Sequence, residues 1–243
     1  MAEAFAWGLL SASSLVIGAA VALRFRIGLR TIGLIMGFGA GVLISAVAFD
    51  LVEEAVGIAS GHGAVLAGMF AGCGAFFGGD RLIDRAGGAR RKSARGGSRP
   101  DSALAIVLGT VLDGIPESIV IGLMIFESGA VGAAYLAAVV ISNAPEAISS
   151  TVGLAASGWR PRRILAMWTM IALASGVASL VGYTAFQDAS AGAVAFMLAF
   201  AAGAILTMLS DTMMPEAYQH GGKLAGVVTT LGFTVALLIN QLD

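Results

Sequence analysis

The sequence carries Leu112-Asp113-Gly114-Ile115-Pro116-Glu117-Ser118 in the middle of one apolar run and Ile141-Ser142-Asn143-Ala144-Pro145-Glu146-Ala147 in the middle of the next. Each segment has two polar positions, an apolar residue, a proline and a glutamate. On a helix, residues four apart are neighbours, so Asp113 lies beside Glu117, and Ser142 beside Glu146. A carboxylate at the centre of a membrane helix costs about 3 kcal/mol on insertion scales. Because no basic residue shares these segments, their carboxylates must be protonated, hydrated or bound to a cation.

The two prolines favour the last alternative. Pro116 and Pro145 each remove a backbone donor and free a carbonyl one turn earlier, near Leu112 and Ile141. Unwound helical segments of this kind can present carbonyl oxygens to an ion. A kink alone explains the prolines but not the glutamate after each. We therefore predict a cation site with the candidate ligands Asp113, Glu117, Ser142, Asn143 and Glu146. Ser142 and Asn143 have an alternative role, which is to bond a neighbouring backbone carbonyl.

The composition predicts an integral membrane protein. The 243 residues are 58% hydrophobic and only 12% charged, with a mean hydropathy of +0.90, whereas soluble domains are about 25% charged. One crossing needs about 20 apolar residues. The apolar runs predict a single all-α transmembrane domain, residues 1–243, with eight helices near 4–23, 31–55, 63–83, 102–125, 130–156, 162–184, 190–217 and 223–241. The intervening segment 84–101 is basic and rich in Gly and Ser, which predicts a flexible loop.

The basic residues predict the orientation. All 14 Lys and Arg residues fall in four places, at 24–30, 81–99, 160–163 and 223. With eight crossings, these places share one side of the membrane, which the positive-inside rule makes cytoplasmic. Both termini are then outside the cytoplasm, and we expect the protein in the cell (inner) membrane.

The sequence also contains a candidate inverted repeat. Phe38-Gly39-Ala40-Gly41 in helix two resembles Phe200-Ala201-Ala202-Gly203 in helix seven, and Leu66-Ala67-Gly68 in helix three recurs as Leu224-Ala225-Gly226 in helix eight. Helices two and seven cross in opposite directions, and inverted repeats are typical of secondary transporters. The prediction is a 3+2+3 arrangement, unless the likeness is a coincidence between helices rich in Gly and Ala.

Further acidic residues lie near the ends of helices two and seven. These are Asp50, Glu53 and Glu54 at the outer side and Asp211 and Glu216, close to His220, at the inner side. They are candidate pathway residues that attract cations at the two mouths, although solvated helix ends also carry such residues.

At these motifs the chain resembles the ZIP (Zrt/Irt-like protein) family of divalent metal transporters. That family's fourth helix carries His-Asn-x-Pro-Glu-Gly, here Asp113-Gly114-Ile115-Pro116-Glu117-Ser118, and its fifth helix a second proline-centred motif, here Ser142-Asn143-Ala144-Pro145-Glu146. Residues 215–224 and Ala40-Gly41-Val42-Leu43 resemble the family's seventh-to-eighth junction and second helix. The resemblance implies transport of zinc or iron, with a metal ion as substrate and no organic cofactor.

The departures from the family pattern change the expected chemistry. Asp113 stands where the family has its histidine, Gly114 replaces its asparagine, and a sixth-helix glutamate of two-metal members falls near Ser175. The resemblance then implies one metal instead of two. Oxygen ligands favour harder ions such as manganese, magnesium or calcium, with iron(II) between them and zinc. Zinc, iron, manganese and cadmium all remain candidate substrates.

Other functions are weaker predictions. One alternative is a metal-binding or sensing membrane protein that keeps the scaffold without transport, and another is movement of protons or monovalent cations. We predict no enzyme, because Gly78-Gly79-Asp80 has no second motif to complete a protease site, and residues 57–61 fall in an outer loop. The bilayer and the metal are the expected partners, with no nucleic acid, and the small-residue faces leave a homodimer open.

Overall fold

The computed structural model describes residues 1–59, 61–83, 85 and 101–242, with the side chains of 101–106 and 128 left aside. This part of the chain folds into eight helices and contains no strand. They are α1 (Ala2–Arg24), α2 (Leu29–Ile58), α3 (His62–Ile83), α4 (Asp101–Ser128), α5 (Ala133–Ala156), α6 (Pro161–Ala185), α7 (Ala191–Gly221) and α8 (Leu224–Asn240). The largest difference from a predicted boundary is at the end of α7, at residue 221 instead of 217. The loop predicted at 84–101 lies outside the described residues, except for Arg85 and Asp101.

Six of these helices are long and apolar enough to cross a membrane by length and composition. They are α1, α2, α3, α4 (through Val107–Glu127), α6 and α7. Helix α8 is a shorter apolar helix, Leu224–Asn240, and α5 is in neither group. Helix α5 is less apolar because it carries Ser142, Asn143 and Glu146 at its middle. The chain is therefore an all-α multi-pass membrane protein, which confirms the predicted class, and six of the eight predicted crossings are candidates by this measure.

The helices pack against one another in close pairs. Helix α1 packs against α5 and α6, and α4 packs against α6; α2 packs against α8, and α3 against α7. The α1, α5 and α6 group has a core of its own around Trp168, whose Nε1–H donates to Thr151 Oγ1 at 2.9 Å. Contacts of α2 with α5 join this group to the α2–α8 pair, and contacts of α2 with the end of α7 join that pair to the α3–α7 pair.

Three of these pairs approach closely through two glycines, one on each helix. In each pair, a methyl group at either glycine would overlap a backbone carbonyl oxygen of the facing helix. That carbonyl belongs to the residue three positions before the glycine of the facing helix. The contacts are Gly41 with Thr229 and Gly232 with Phe38 between α2 and α8, Gly72 with Phe200 and Gly203 with Met69 between α3 and α7, and Gly122 with Ser179 and Gly182 with Ile119 between α4 and α6. Glycine is required here because a side chain would push the backbones apart.

The contacting residues also give the relative direction of the helices. Between α2 and α8, Gly37 meets Ala225 and Gly41 meets Thr229, so both numbers rise together and the helices are parallel. Helices α3 and α7 are parallel for the same reason. Between α1 and α6 the numbers run oppositely, since Gly8 meets Ser175 while Ser179 Oγ donates to the Ala4 carbonyl at 2.7 Å. These senses match helices that alternate in direction along the chain.

One part of the predicted repeat is wrong. Gly41 and Gly203 occupy equivalent places, as Phe38-Gly39-Ala40-Gly41 and Phe200-Ala201-Ala202-Gly203 predict. The Leu-Ala-Gly match does not hold, because Gly68 meets Phe196 whereas a methyl group at Gly226 would meet nothing within 4 Å. The equivalent glycines of α3 and α8 are Gly72 and Gly232, which pack against the two repeated segments.

The helical irregularities lie in α2 and α7, where the sequence did not predict them. Each contains a π-helical segment, Val47–Val52 in α2 and Leu209–Met213 in α7. Such wide turns often occur at functional sites. In contrast, α4 and α5 continue as α-helices through Pro116 and Pro145, so the unwound segments expected there are absent. Packed neighbouring helices make prolines tolerable within membrane helices.

Candidate cation site

A small interior cavity lies between α2, α4, α5 and α7. Its volume is about 20 Å³, enough for about one water molecule or ion. Three glutamates, three hydroxyl residues of α5, one threonine and three methionines form its wall: Met36, Glu117, Ser142, Glu146, Ser149, Ser150, Met208, Thr212, Met213 and Glu216. The described wall contains no Lys, Arg or His.

Helix α4 contributes a buried polar stripe. Thr110, Asp113 and Glu117 follow the spacing of one helical face, and their exposed fractions are only 3%, 5% and 2%. Of the two acids, Glu117 lines the cavity and Asp113 does not. The buried Tyr135 hydroxyl donates to the Glu117 backbone carbonyl at 3.4 Å, which ties this turn of α4 to the first turn of α5.

Helix α5 presents one polar face to the cavity. Ser142, Glu146, Ser149 and Ser150 follow helical spacing and all line the wall. Thr110 Oγ1 donates to Glu146 Oε1 at 3.4 Å, so a hydroxyl of α4 orients this carboxylate. Ser142 donates to the Val139 carbonyl at 3.0 Å, which is the backbone role left open above, and it also lines the cavity. Asn143 is buried but is not part of the wall.

Helix α7 contributes through its π-helical segment and the turn after it. Met208, Thr212, Met213 and Glu216 all reach the wall, and Met36 of α2 completes it. The sequence had placed Glu216 on the pathway, and the structure brings it to the same cavity as Glu117 and Glu146. The methionines were missed, because an apolar residue in a membrane helix carries no sequence signal for a site. Ser149 and Ser150 had such a sequence signal, since they continue the helical face of Ser142 and Glu146.

The other candidate pathway residues lie away from the cavity. Asp50, in the π segment of α2, accepts a hydrogen bond of 2.8 Å from Asn240 Nδ2 at the end of α8. Glu53, Glu54 and Asp211 are exposed, and His220 is half-buried with its Cβ close to Gly33. None of these five residues is part of the cavity wall.

The five predicted ligands do not form a closed cage. Among the described residues, no group of three His, Cys, Asp or Glu side chains is close enough to hold a metal ion. Glu117, Glu146 and Ser142 share the cavity, whereas Asp113 and Asn143 are buried outside it. A cation bound here would depend on a small rearrangement or on hydroxyl and water ligands beside the carboxylates.

Comparison with models of known protein families and with curated protein sequences finds no match to this chain. The resemblance to the ZIP family therefore depends on the motifs alone. A methyl group at Gly114 would lie 4.0 Å from Ser175 Oγ, so Ser175 of α6 faces the α4 motif.

Proposed function

We propose that this protein transports a divalent metal cation across the membrane through the cavity between α2, α4, α5 and α7. The observation that supports this most strongly is the meeting of Glu117, Glu146 and Glu216 at one small interior cavity. These residues come from three helices, and two of them follow the mid-helix prolines. Acidic side chains within membrane helices are rare and typically mark the pathway of an ion or substrate.

The wall supports an ion of intermediate hardness as the substrate. Carboxylate and hydroxyl oxygens favour manganese and iron(II), whereas the thioethers of Met36, Met208 and Met213 favour softer ions. A wall with both ligand types suits iron(II), zinc or manganese better than magnesium or calcium. Zinc or iron also follows from the family resemblance.

The packing supports eight crossings in a 3+2+3 arrangement with inverted repeats. The proposed repeat relates α1 to α6, α2 to α7, α3 to α8 and α4 to α5. Under this relation the α2–α8 pair corresponds to the α7–α3 pair, and the α1–α5 pair corresponds to the α6–α4 pair. All four pairs pack closely. The glycine contacts of α2–α8 and α3–α7 repeat in the same way. In this proposal, the ion passes when the group of α1, α4, α5 and α6 shifts relative to the group of α2, α3, α7 and α8 around the cavity. The arginine-rich side lies in the cytoplasm and both termini lie outside.

The test is metal uptake into liposomes that contain the purified full chain and a metal-sensitive dye. Zinc, iron(II), manganese, cadmium and magnesium are offered singly and in competition. Glu117→Gln and Glu146→Gln keep the side-chain size and remove the charge, and each should reduce uptake more than about 10-fold, since even an outer partner of a metal site contributes 10- to 100-fold to affinity. Glu127→Gln is the matched control, because Glu127 is exposed at the end of the same helix as Glu117.

Two further variants test the membership of the site. The cavity includes Glu216 and excludes Asp113, so Glu216→Gln should reduce uptake as much as Glu146→Gln, and Asp113→Asn should reduce it less. Uptake that survives both Glu117→Gln and Glu146→Gln would reject this site.

The alternative is a metal-binding or sensing membrane protein that keeps the scaffold without transport. It predicts metal binding to the purified protein with no uptake above empty liposomes. Metal-dependent flux that Glu117→Gln removes would reject it.

A further inference from the structure

A groove on the membrane-facing side of the protein lies between α4 and α6, apart from the cation cavity. Its volume is 430 Å³, within the range of small-molecule sites. Along α6 its wall consists of Arg163, Met167, Met170 and Ala174 with their neighbours, and along α4 of Val107 and Val111. The wall is apolar except at one end, where Arg163 lies.

The length of the groove matches one leaflet of a bilayer. Ala174 lies 11 positions after Arg163 in α6, a distance of about 16 Å at 1.5 Å per residue. Half of the hydrocarbon core of a bilayer is about 15 Å thick. The groove therefore runs from the arginine-bearing end to about the middle of the membrane. Met170 is 70% exposed in the protein alone, so the groove is open to the bilayer along its side.

The polar end of the groove is suited to an anion. The Arg163 guanidinium stacks on the Trp159 ring at 3.9 Å from its centroid. This stacking orients the planar group and leaves its N–H donors for a phosphate. Arg160 and Arg162 lie beside it, and the sequence has no Asp or Glu between Glu146 and Asp188. Arg163 is thus the charged residue of the described groove wall, and Arg160 and Arg162 are next to it in the sequence.

We propose that this groove binds an anionic phospholipid, with its phosphate on Arg163 and one acyl chain along α6 towards Ala174. The apolar wall takes the chain, the stacked arginine takes the headgroup, and the groove length corresponds to one leaflet. The inner end lies beside Ser175, which faces Gly114 in the polar segment of α4. A bound chain would therefore seal the α4–α6 crevice at the depth of that segment. Lipid binding here requires neither metal binding nor transport.

The test is native mass spectrometry of the full chain, purified in detergent and offered equal amounts of phosphatidylglycerol and phosphatidylcholine with identical acyl chains. The wild type should retain the anionic lipid preferentially. Arg163→Ala should reduce that preference about fivefold, the usual effect of one basic residue near anionic lipid. Arg162→Ala is the matched control, because Arg162 is exposed, adjacent and not part of the groove wall, and it should change the preference less.

Further variants separate the headgroup from the chain. Arg163→Lys keeps the charge and loses the planar fork, so it should retain part of the preference. Ala166→Trp fills the groove from an exposed position and should reduce retention of both lipids. Glu117→Gln should retain lipid like the wild type, whether or not the chain transports metal.

Three results would overturn the proposal. Equal retention of the two lipids by the wild type would mean that the groove has no headgroup site. An equal loss in Arg162→Ala and Arg163→Ala would mean a diffuse surface charge. Inorganic phosphate that protects the protein against thermal unfolding as well as the anionic lipid does would mean an anion site without a chain.

Discussion

The close glycine contacts allow a test of the helix arrangement that does not depend on function. In Gly72→Ala, the new methyl group of α3 would overlap the Phe200 carbonyl of α7. In Gly74→Ala, two residues along the same helix, the methyl group would meet nothing within 4 Å. Both substitutions bring the same gain in helix propensity, up to about 1 kcal/mol. The difference between the two variants therefore isolates the packing of α3 against α7.

Overfilling a close-packed contact costs about 1–3 kcal/mol, so Gly72→Ala should be less stable than Gly74→Ala by that amount. In a chain of this length, 1 kcal/mol corresponds to a change in unfolding temperature of about 2–4 °C. The assay is helix content by circular dichroism in mixed micelles, against rising SDS and against temperature. Gly232 of α8 makes the equivalent contact with the Phe38 carbonyl of α2, so Gly232→Ala should behave like Gly72→Ala. Gly226→Ala is its control, because a methyl group there would meet nothing within 4 Å. Equal stability within each matched pair would refute the close approach of these helices.

Two hydrogen bonds give further predictions. Asn240→Ala removes the donor to Asp50, and because bonds to charged groups contribute about 1.5–3 kcal/mol, it should lower the unfolding temperature; adding Asn240→Ala to an Asp50→Ala background should then cost much less. Thr110→Val keeps the side-chain shape and removes the hydroxyl that donates to Glu146. Metal affinity measured by calorimetry should therefore fall about 10-fold. An unchanged affinity would mean that Glu146 is not a ligand oriented by Thr110.

Much of the fold was predictable because membrane helices are marked locally. An apolar run of sufficient length specifies a helix whatever packs against it, and the eight helices start and end within a few residues of their predicted boundaries. The π-helical segments were not predictable, because Val47–Val52 and Leu209–Met213 have ordinary apolar and polar residues. The prolines misled in the opposite direction, since packed neighbours keep α4 and α5 helical through Pro116 and Pro145.

For the site, the sequence was sufficient to predict the class of protein and the helices that carry acids within apolar runs. The unusual position of Glu117 and Glu146 within apolar runs was sufficient for that. Only the tertiary structure decided which acids meet. Asp113 shares a helical face with Glu117 yet lies outside the cavity, and Glu216, distant in sequence, lies in its wall. Periodicity defines a face of one helix, whereas the residues opposite that face depend on which helices pack against it and in what orientation.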